Sequence, residues 1–327
     1  MGMQVVENRE AIRQAIDEEM QRDARVFLIG EDVALYDGPY KVSKGLLKKW
    51  GEKRIIDTPI SETGFAGLSI GAAMCGLRPI VEFMKWNFSF VAADQLISNA
   101  PNIHYMTGGR FRVPIVFRGC NGAALQVGCQ HSHCVENIYG NLPGYIIISP
   151  SNAYDYKGLL KSAIRSDDPV IFLESELSYG DRYEIPTEEY LVPIGVANII
   201  KPGDDITLVS HGRVISECLE AAKALDAFGI SCEIIDLRTI KPLDIATVLR
   251  SVKKTHYAVI VEEGFAFGGV AAELSFRLSE VGFDELDGPV ARVTQMDVPL
   301  PYSKPLEAYS LPHAARIIAQ VKQTLNR

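Results

Sequence analysis

Short, predominantly apolar runs, each followed by a helix-length segment, constrain this chain more than any other feature. Residues 26–33 (VFLIGEDV) form one such run, and the signature returns at 79–83, 114–118, 145–149 and 169–174. A strand that is apolar at every position has both faces covered, as in a parallel sheet with helices on either side. Strands alternating with helical segments predict a doubly wound α/β layer. A second series occupies 206–210, 232–237, 258–262 and 290–294, with helical patterns between at 214–228 and 270–280. Helices are also predicted over 8–21 and, at the end, over about 313–326. Residues 175–205 lack periodicity and are rich in Tyr, Pro, Gly and acids. The expected organisation is therefore two domains, 1–185 and 200–327, as a length of 327 residues suggests.

Composition narrows the partners. A net charge of −8, with no basic run denser than Lys48-Lys49 or Lys253-Lys254, argues against nucleic acid and against an anionic membrane surface. No apolar run approaches the ~18–20 residues needed to span a bilayer. The opening MGMQVVENREA has neither a signal-peptide core nor a transit pattern. A soluble chain is expected, in a bacterial cytoplasm, or in a mitochondrial matrix if already trimmed. Cys75, Cys120, Cys129, Cys134, Cys218 and Cys232 lack the spacing of a disulfide framework and are expected to be reduced and buried.

Two stretches concentrate candidate chemistry. In 54–71 (RIIDTPISETGFAGLSIG) a Pro-broken turn leads to Glu62 and a helix start holding Gly64, Gly67 and Gly71, then Ala72 and Ala73. Each helix-interior glycine costs roughly 0.5–1 kcal/mol relative to alanine, so the run implies a neighbour packed close to the backbone, either another helix or a cofactor. The plain role for Glu62 is to complement the helix dipole. In 119–134 (GCNGAALQVGCQHSHC), Cys129, His131, His133 and Cys134 crowd six positions with no distant ligand pair, which is poor spacing for zinc. A Cys–His nucleophilic couple normally meets across a fold rather than along a loop. What remains is a His that binds substrate or moves a proton, or one that is purely structural.

Ligands on open parallel sheets gather at the carboxyl ends of the strands. Glu31-Asp32, residues 85–88 and residues 119–134 all follow predicted strands, so Glu62, Phe88 and His131 are expected on one rim. Trp86, Phe88 and Phe90 alternate as packing residues of a strand end. Residues 262–274 (EEGFAFGGVAAEL) lack a G-x-G-x-x-G pattern and read as a tight turn before a helix. In 236–244 (DLRTIKPLD) a strand precedes a Pro-started helix, with Asp244 near its beginning.

Taken together, 57–83 (DTPISETGFAGLSIGAAMCGLRPIVEF), NFS at 87–89, YMTGG at 105–109, QHS at 130–132, 150–165 (PSNAYDYKGLLKSAIR) and 236–244 resemble the β subunits of thiamine-diphosphate-dependent 2-oxoacid dehydrogenases, especially those acting on pyruvate. More loosely the chain is similar to the second and third domains of transketolase. The resemblance implies a pyrimidine-binding domain with a mostly parallel sheet and a transketolase C-terminal-like domain. It implies that Glu62 hydrogen-bonds a pyrimidine nitrogen of thiamine diphosphate, so that the cofactor's own amino group can remove the thiazolium proton. It places Phe88 against the pyrimidine with Met84 nearby. His131 falls on the substrate and lipoyl-transfer side, binding the carboxylate or passing a proton to a lipoyl sulfur.

The family's thiamine enzymes hold Mg2+ and diphosphate through a GDG motif with an Asn 25–30 residues on. This chain has none, so the resemblance implies a separate α subunit and an α2β2 heterotetramer with cofactor at the α/β interfaces. It also implies docking to a dihydrolipoyl acetyltransferase that bears the lipoyl arm. A potassium ion is implied near Ile115, Ala163, Ile164 and Asp168, although Ser166 and Asp168 replace the Asp and Asn usual there. Cys120, Trp86 and Glu136-Asn137 also depart from the pattern around the presumed pocket. Pyruvate is favoured over branched-chain 2-oxo acids. The alternatives are a branched-chain or acetoin-type β subunit, and a non-catalytic assembly subunit.

Overall fold

The apolar runs become strands buried along their length. In a computed structural model describing Gly2–Arg327, contacts divide the chain into two units, one of residues up to 121 with 138–194, the other of 122–137 with 195–327. The first unit contains β1 (Met3–Glu7), β2 (Val26–Gly30), β3 (Ile55–Asp57), β4 (Arg78–Lys85), β5 (Val116–Cys120), β6 (Ile146–Ile148), β7 (Val170–Glu174) and β8 (Arg182–Pro186). Six of these pair in parallel in the order β6-β7-β5-β4-β2-β3. One register row, Ile147–Ile171–Phe117–Val81–Ile29–Ile56, crosses all six. Every residue of β2, β5 and β7 is buried, as their predominantly apolar sequences require, Arg118 and Glu174 included.

Helices Asn8–Arg22 and Ala153–Arg165 pack together in this unit. Lys157 and Lys161 of the second helix are buried, and both reach Glu18 of the first at 2.7 Å. Sequence patterning missed the antiparallel ribbon of β1 and β8, which joins Met3 to Pro186 and Glu7 to Arg182. Its exposure is mixed, and its partners lie about 180 residues apart, so no local pattern betrays it.

The second unit contains β9 (Asn198–Lys201), β10 (Ile206–Ser210), β11 (Cys232–Asp236), β12 (Thr239–Lys241), β13 (Ala258–Phe265) and β14 (Ala291–Gln295). Its sheet runs β14-β13-β10-β11-β9, parallel except for β9 at the edge, and β12 lies outside it. Helices Ile215–Asp226, Val270–Val281 and Ala314–Thr324 fall where periodicity placed them. The helix expected to start at Pro242 begins instead at Ile245. Asp244 is its N-cap, accepting from the Thr247 amide at 3.0 Å. No helix among the described residues is long and apolar enough to cross a membrane.

The segment 122–137 groups with the second unit, although it follows a strand of the first. A linear boundary near 185–200 does not anticipate that excursion.

Candidate active site

Glu62 is the first residue of the helix Glu62–Met74 and is only 4% exposed. A carboxylate serving only the helix dipole would normally sit in solvent. Beside it lies Glu31, immediately after β2 and also buried. The Glu62 carboxylate is close enough to act on Glu31, and no hydrogen-bond donor among the described residues meets the buried Oε1 of Glu31. Burial first, then the charges of Glu62 and Asp32, push Glu31 up to about 7. A like charge so placed disfavours ionisation of Glu31. The sequence had placed Glu31 at a strand end without pairing it to Glu62.

The glycines after Glu62 have only part of the close neighbour that their cost implied. A Cβ on Gly67 would lie 3.2 Å from the Gln95 amide group. On Gly64 it would meet only Ser61, at 3.5 Å, and on Gly71 nothing within 4 Å. Leu68 of the same helix is 61% exposed.

Met84, near the end of β4, and Phe88, in the tight turn Trp86–Phe90, are both partly exposed. That turn is tied to the Glu62 helix through Thr63, whose hydroxyl donates to the Val91 carbonyl at 2.5 Å. Ser89 Oγ bonds the Trp86 carbonyl and the Tyr139 hydroxyl, each at 2.6 Å. Glu62, Met84 and Phe88 are thus borne by linked elements of one unit. Trp86, one of the departures around the presumed pocket, is placed in the core. It is fully buried, with its ring 5.7 Å from Phe83 and 5.5 Å from Tyr139.

Cys120, another departure, is also in the core, donating to the Tyr179 hydroxyl at 3.2 Å. Tyr179 in turn donates to Glu174 at 2.6 Å, and Glu174 is held by Arg118, which also bonds Glu82. This buried ionic cluster joins β4, β5 and β7 across the sheet. None of its members was singled out from sequence.

His131 lies on the other unit, at the end of the turn Cys129–His131, and is partly buried, whereas His133 is exposed. Cys129, Gln130, Ser132 and His133 line a cavity of about 420 Å3 together with Phe265, Gln295 and the 297–300 stretch. Burial above all, aided by Glu136, Glu263 and Glu262, pushes the Cys134 thiol well above its ordinary value. A thiol so held is no nucleophile near neutral pH. All six cysteines are free, but Cys75 and Cys129 are exposed rather than buried as expected. Among the described residues no group of three or more His, Cys, Asp or Glu side chains could hold a metal ion.

At the implied potassium position the oxygens already have partners. The carbonyl of Ile115 accepts from Val170 N at 2.9 Å and that of Ala163 from Ser166 N at 3.1 Å. Arg78 Nη1 donates to the Ile164 and Ser166 carbonyls at 2.9 and 2.8 Å. Asp168 is exposed, 3.8 Å from Arg112.

Comparison with known proteins sets this geometry in a family context. Residues 4–181 match the model of the transketolase pyrimidine-binding domain, and residues 195–317 match that of the transketolase C-terminal domain. The chain is 55% identical over 323 residues to the mitochondrial pyruvate dehydrogenase E1 component subunit beta of Rattus norvegicus, covering 97% of this chain and 90% of that one. It is 51% identical to the Caenorhabditis elegans protein of the same description, covering 97% and 92%. A solved structure described as a split-gene transketolase, an inactive beta4 tetramer, shares the fold with a TM-score of 0.81, at 22% identity and 98% coverage of both chains.

Proposed function

Since this chain belongs to the family of pyruvate dehydrogenase E1 β subunits, built from transketolase-like pyrimidine-binding and C-terminal domains, we propose that Glu62, Met84, Phe88 and His131 are its contributions to an active site shared with an α subunit. The activity is the thiamine-diphosphate-dependent oxidative decarboxylation of pyruvate, with the acetyl group passed to the lipoyl group of an acyltransferase. Thiamine diphosphate, when bound, supplies the nucleophile for the keto carbon and the electron sink for loss of carbon dioxide.

The single observation behind this assignment is that Glu62 is buried at a helix start beside a second buried carboxyl group, Glu31, whose pKa that burial raises. A pyrimidine ring nitrogen fits such a site, because a carboxyl group can share a proton with a weakly basic aromatic nitrogen. Glu62 would hold that nitrogen, and Glu31 would keep a second proton close by. Phe88 and Met84 would give the ring an apolar face. His131 would bind the substrate carboxylate or deliver a proton to the lipoyl sulfur released when the disulfide opens.

Diphosphate and Mg2+ fall to the α subunit in this proposal. The exposed Leu68 and the open space at Gly71 support an α2β2 interface along the Glu62 helix. For potassium, the carbonyls of Ile115, Ala163 and Ile164 would have to use their second lone pairs, alongside Asp168. A higher melting temperature in KCl than in NaCl supports that ion, and equal values remove it.

Glu62→Ala in the reconstituted αβ enzyme tests the whole assignment. Loss of turnover with assembly intact is expected, whereas full turnover would make this chain a scaffold. Preference for 3-methyl-2-oxobutanoate over pyruvate in a substrate panel would move it to the branched-chain branch. Thiamine diphosphate and Mg2+ should bind only after the α subunit is added.

A further inference from the structure

His131 depends on a loop that this chain secures from about 140 residues away. The Ala123 amide donates to Oε1 of Glu263 at 2.5 Å, while Oε2 of the same carboxylate accepts from Arg213 Nε and Nη2 at 2.9 and 2.6 Å. Burial works against the charge on Arg213, yet Glu263 raises its pKa above the ordinary value, so the ion pair persists. Gly122, with φ 71°, lets the backbone pass so close to this carboxylate that a Cβ would stand 2.5 Å from Oε1.

Farther along, Gln126 Nε2 donates to Glu307 at 2.5 Å. Tyr302 covers Gly128, φ 76°, where a Cβ would lie 2.2 Å from the ring. From Gly128 the link to the imidazole is short. Its carbonyl accepts from the His131 amide at 3.3 Å and from Ser132 Oγ at 2.7 Å. All these residues belong to one unit.

We propose that Glu263 is a positioning residue that acts through His131, fixing by way of the Ala123 amide and Arg213 the loop from which the imidazole works. The proposal rests on the role assigned to His131 above. Without Glu263 a buried amide and a partly buried guanidinium lose their acceptor together, and the entrance of the loop is released. A misplacement of about 1 Å in a reacting group costs on the order of 100-fold in rate, so even partial release is measurable.

The test is a double-mutant cycle in the α-reconstituted enzyme, following acetylation of a free lipoyl domain with pyruvate. Glu263→Ala and His131→Ala are each expected to slow acetylation about tenfold or more. The double variant is expected to be no slower than His131→Ala within about twofold, because residues acting through one another are not additive.

Losses that multiply in the double variant would overturn the proposal, since a merely structural role predicts them. Glu263→Ala at the wild-type rate, with His131→Ala impaired, would overturn it too. His131→Ala at the wild-type rate would instead remove the assignment of His131 itself. Should Glu263→Ala not fold, Glu263→Gln replaces it. That variant keeps an acceptor for Ala123 and loses the ion pair, so a rate between wild type and His131→Ala is expected, and the wild-type rate counts against the proposal.

Discussion

Glu31, immediately after a strand, and Glu62, opening a helix, are two buried carboxyl groups close enough for the charge of one to act on the other. Burial and the neighbouring charges push Glu31 up to about 7, so this carboxyl group takes up a proton near neutral pH. kcat/KM for pyruvate is therefore expected to show a limb near pH 7 in the wild-type enzyme. In Glu31→Gln the titrating carboxyl is gone and that limb should disappear. A profile that Glu31→Gln leaves in place would dissociate the pair from catalysis.

Glu262 offers a test in stability. Its carboxylate oxygens accept from the Val270 and Ala271 amides at 2.9 and 3.0 Å, and burial raises its pKa to about 7 in spite of those bonds. The folded chain thus holds a proton that the unfolded chain releases from about pH 4.5 upward. The associated stability is fully present below that pH, declines between about 4.5 and 7, and is gone above 7. A shift from 4.5 to about 7 corresponds to roughly 3 kcal/mol. Glu262→Gln should be less stable than wild type at pH 5, by about 1 kcal/mol for one lost acceptor, and equal or better at pH 8. Thermal melts across that range would show the crossing, and parallel curves would refute it.

Ser89 is fully buried and bonds both the Trp86 carbonyl and the Tyr139 hydroxyl within the turn that presents Phe88. Ser89→Ala removes both of those buried hydrogen bonds and is expected to cost about 1–3 kcal/mol. The half-saturating concentration of thiamine diphosphate should rise with it. Lower stability with unchanged cofactor affinity would separate the turn from the binding site.

Arg118 pairs with Glu82 and Glu174 where all three are buried, and burial is the largest influence raising the pKa of Glu82. Arg118→Met strands two carboxylates in the sheet, for which a loss of about 3–5 kcal/mol is expected from urea denaturation. A loss below about 1 kcal/mol would mean that the carboxyl groups take up protons or water at little cost.

The sequence by itself determined the two series of strands, because strands covered on both faces are predominantly apolar along their length and that pattern is local. It also determined that Glu62 opens a glycine-rich helix, since a Pro-broken turn followed by such a start is written in consecutive residues. Tertiary structure alone decided the rest. Glu31 meets Glu62 only because the end of β2 adjoins a helix start 31 positions later, and charge pairing leaves no trace in hydrophobic periodicity. Trp86 and Cys120 went to the core because neighbouring strands, not flanking residues, set what surrounds them. The loop bearing His131 joined the second unit through Glu263, Tyr302 and Glu307, contacts of high sequence separation whose partners can be identified only once the chain has closed on itself.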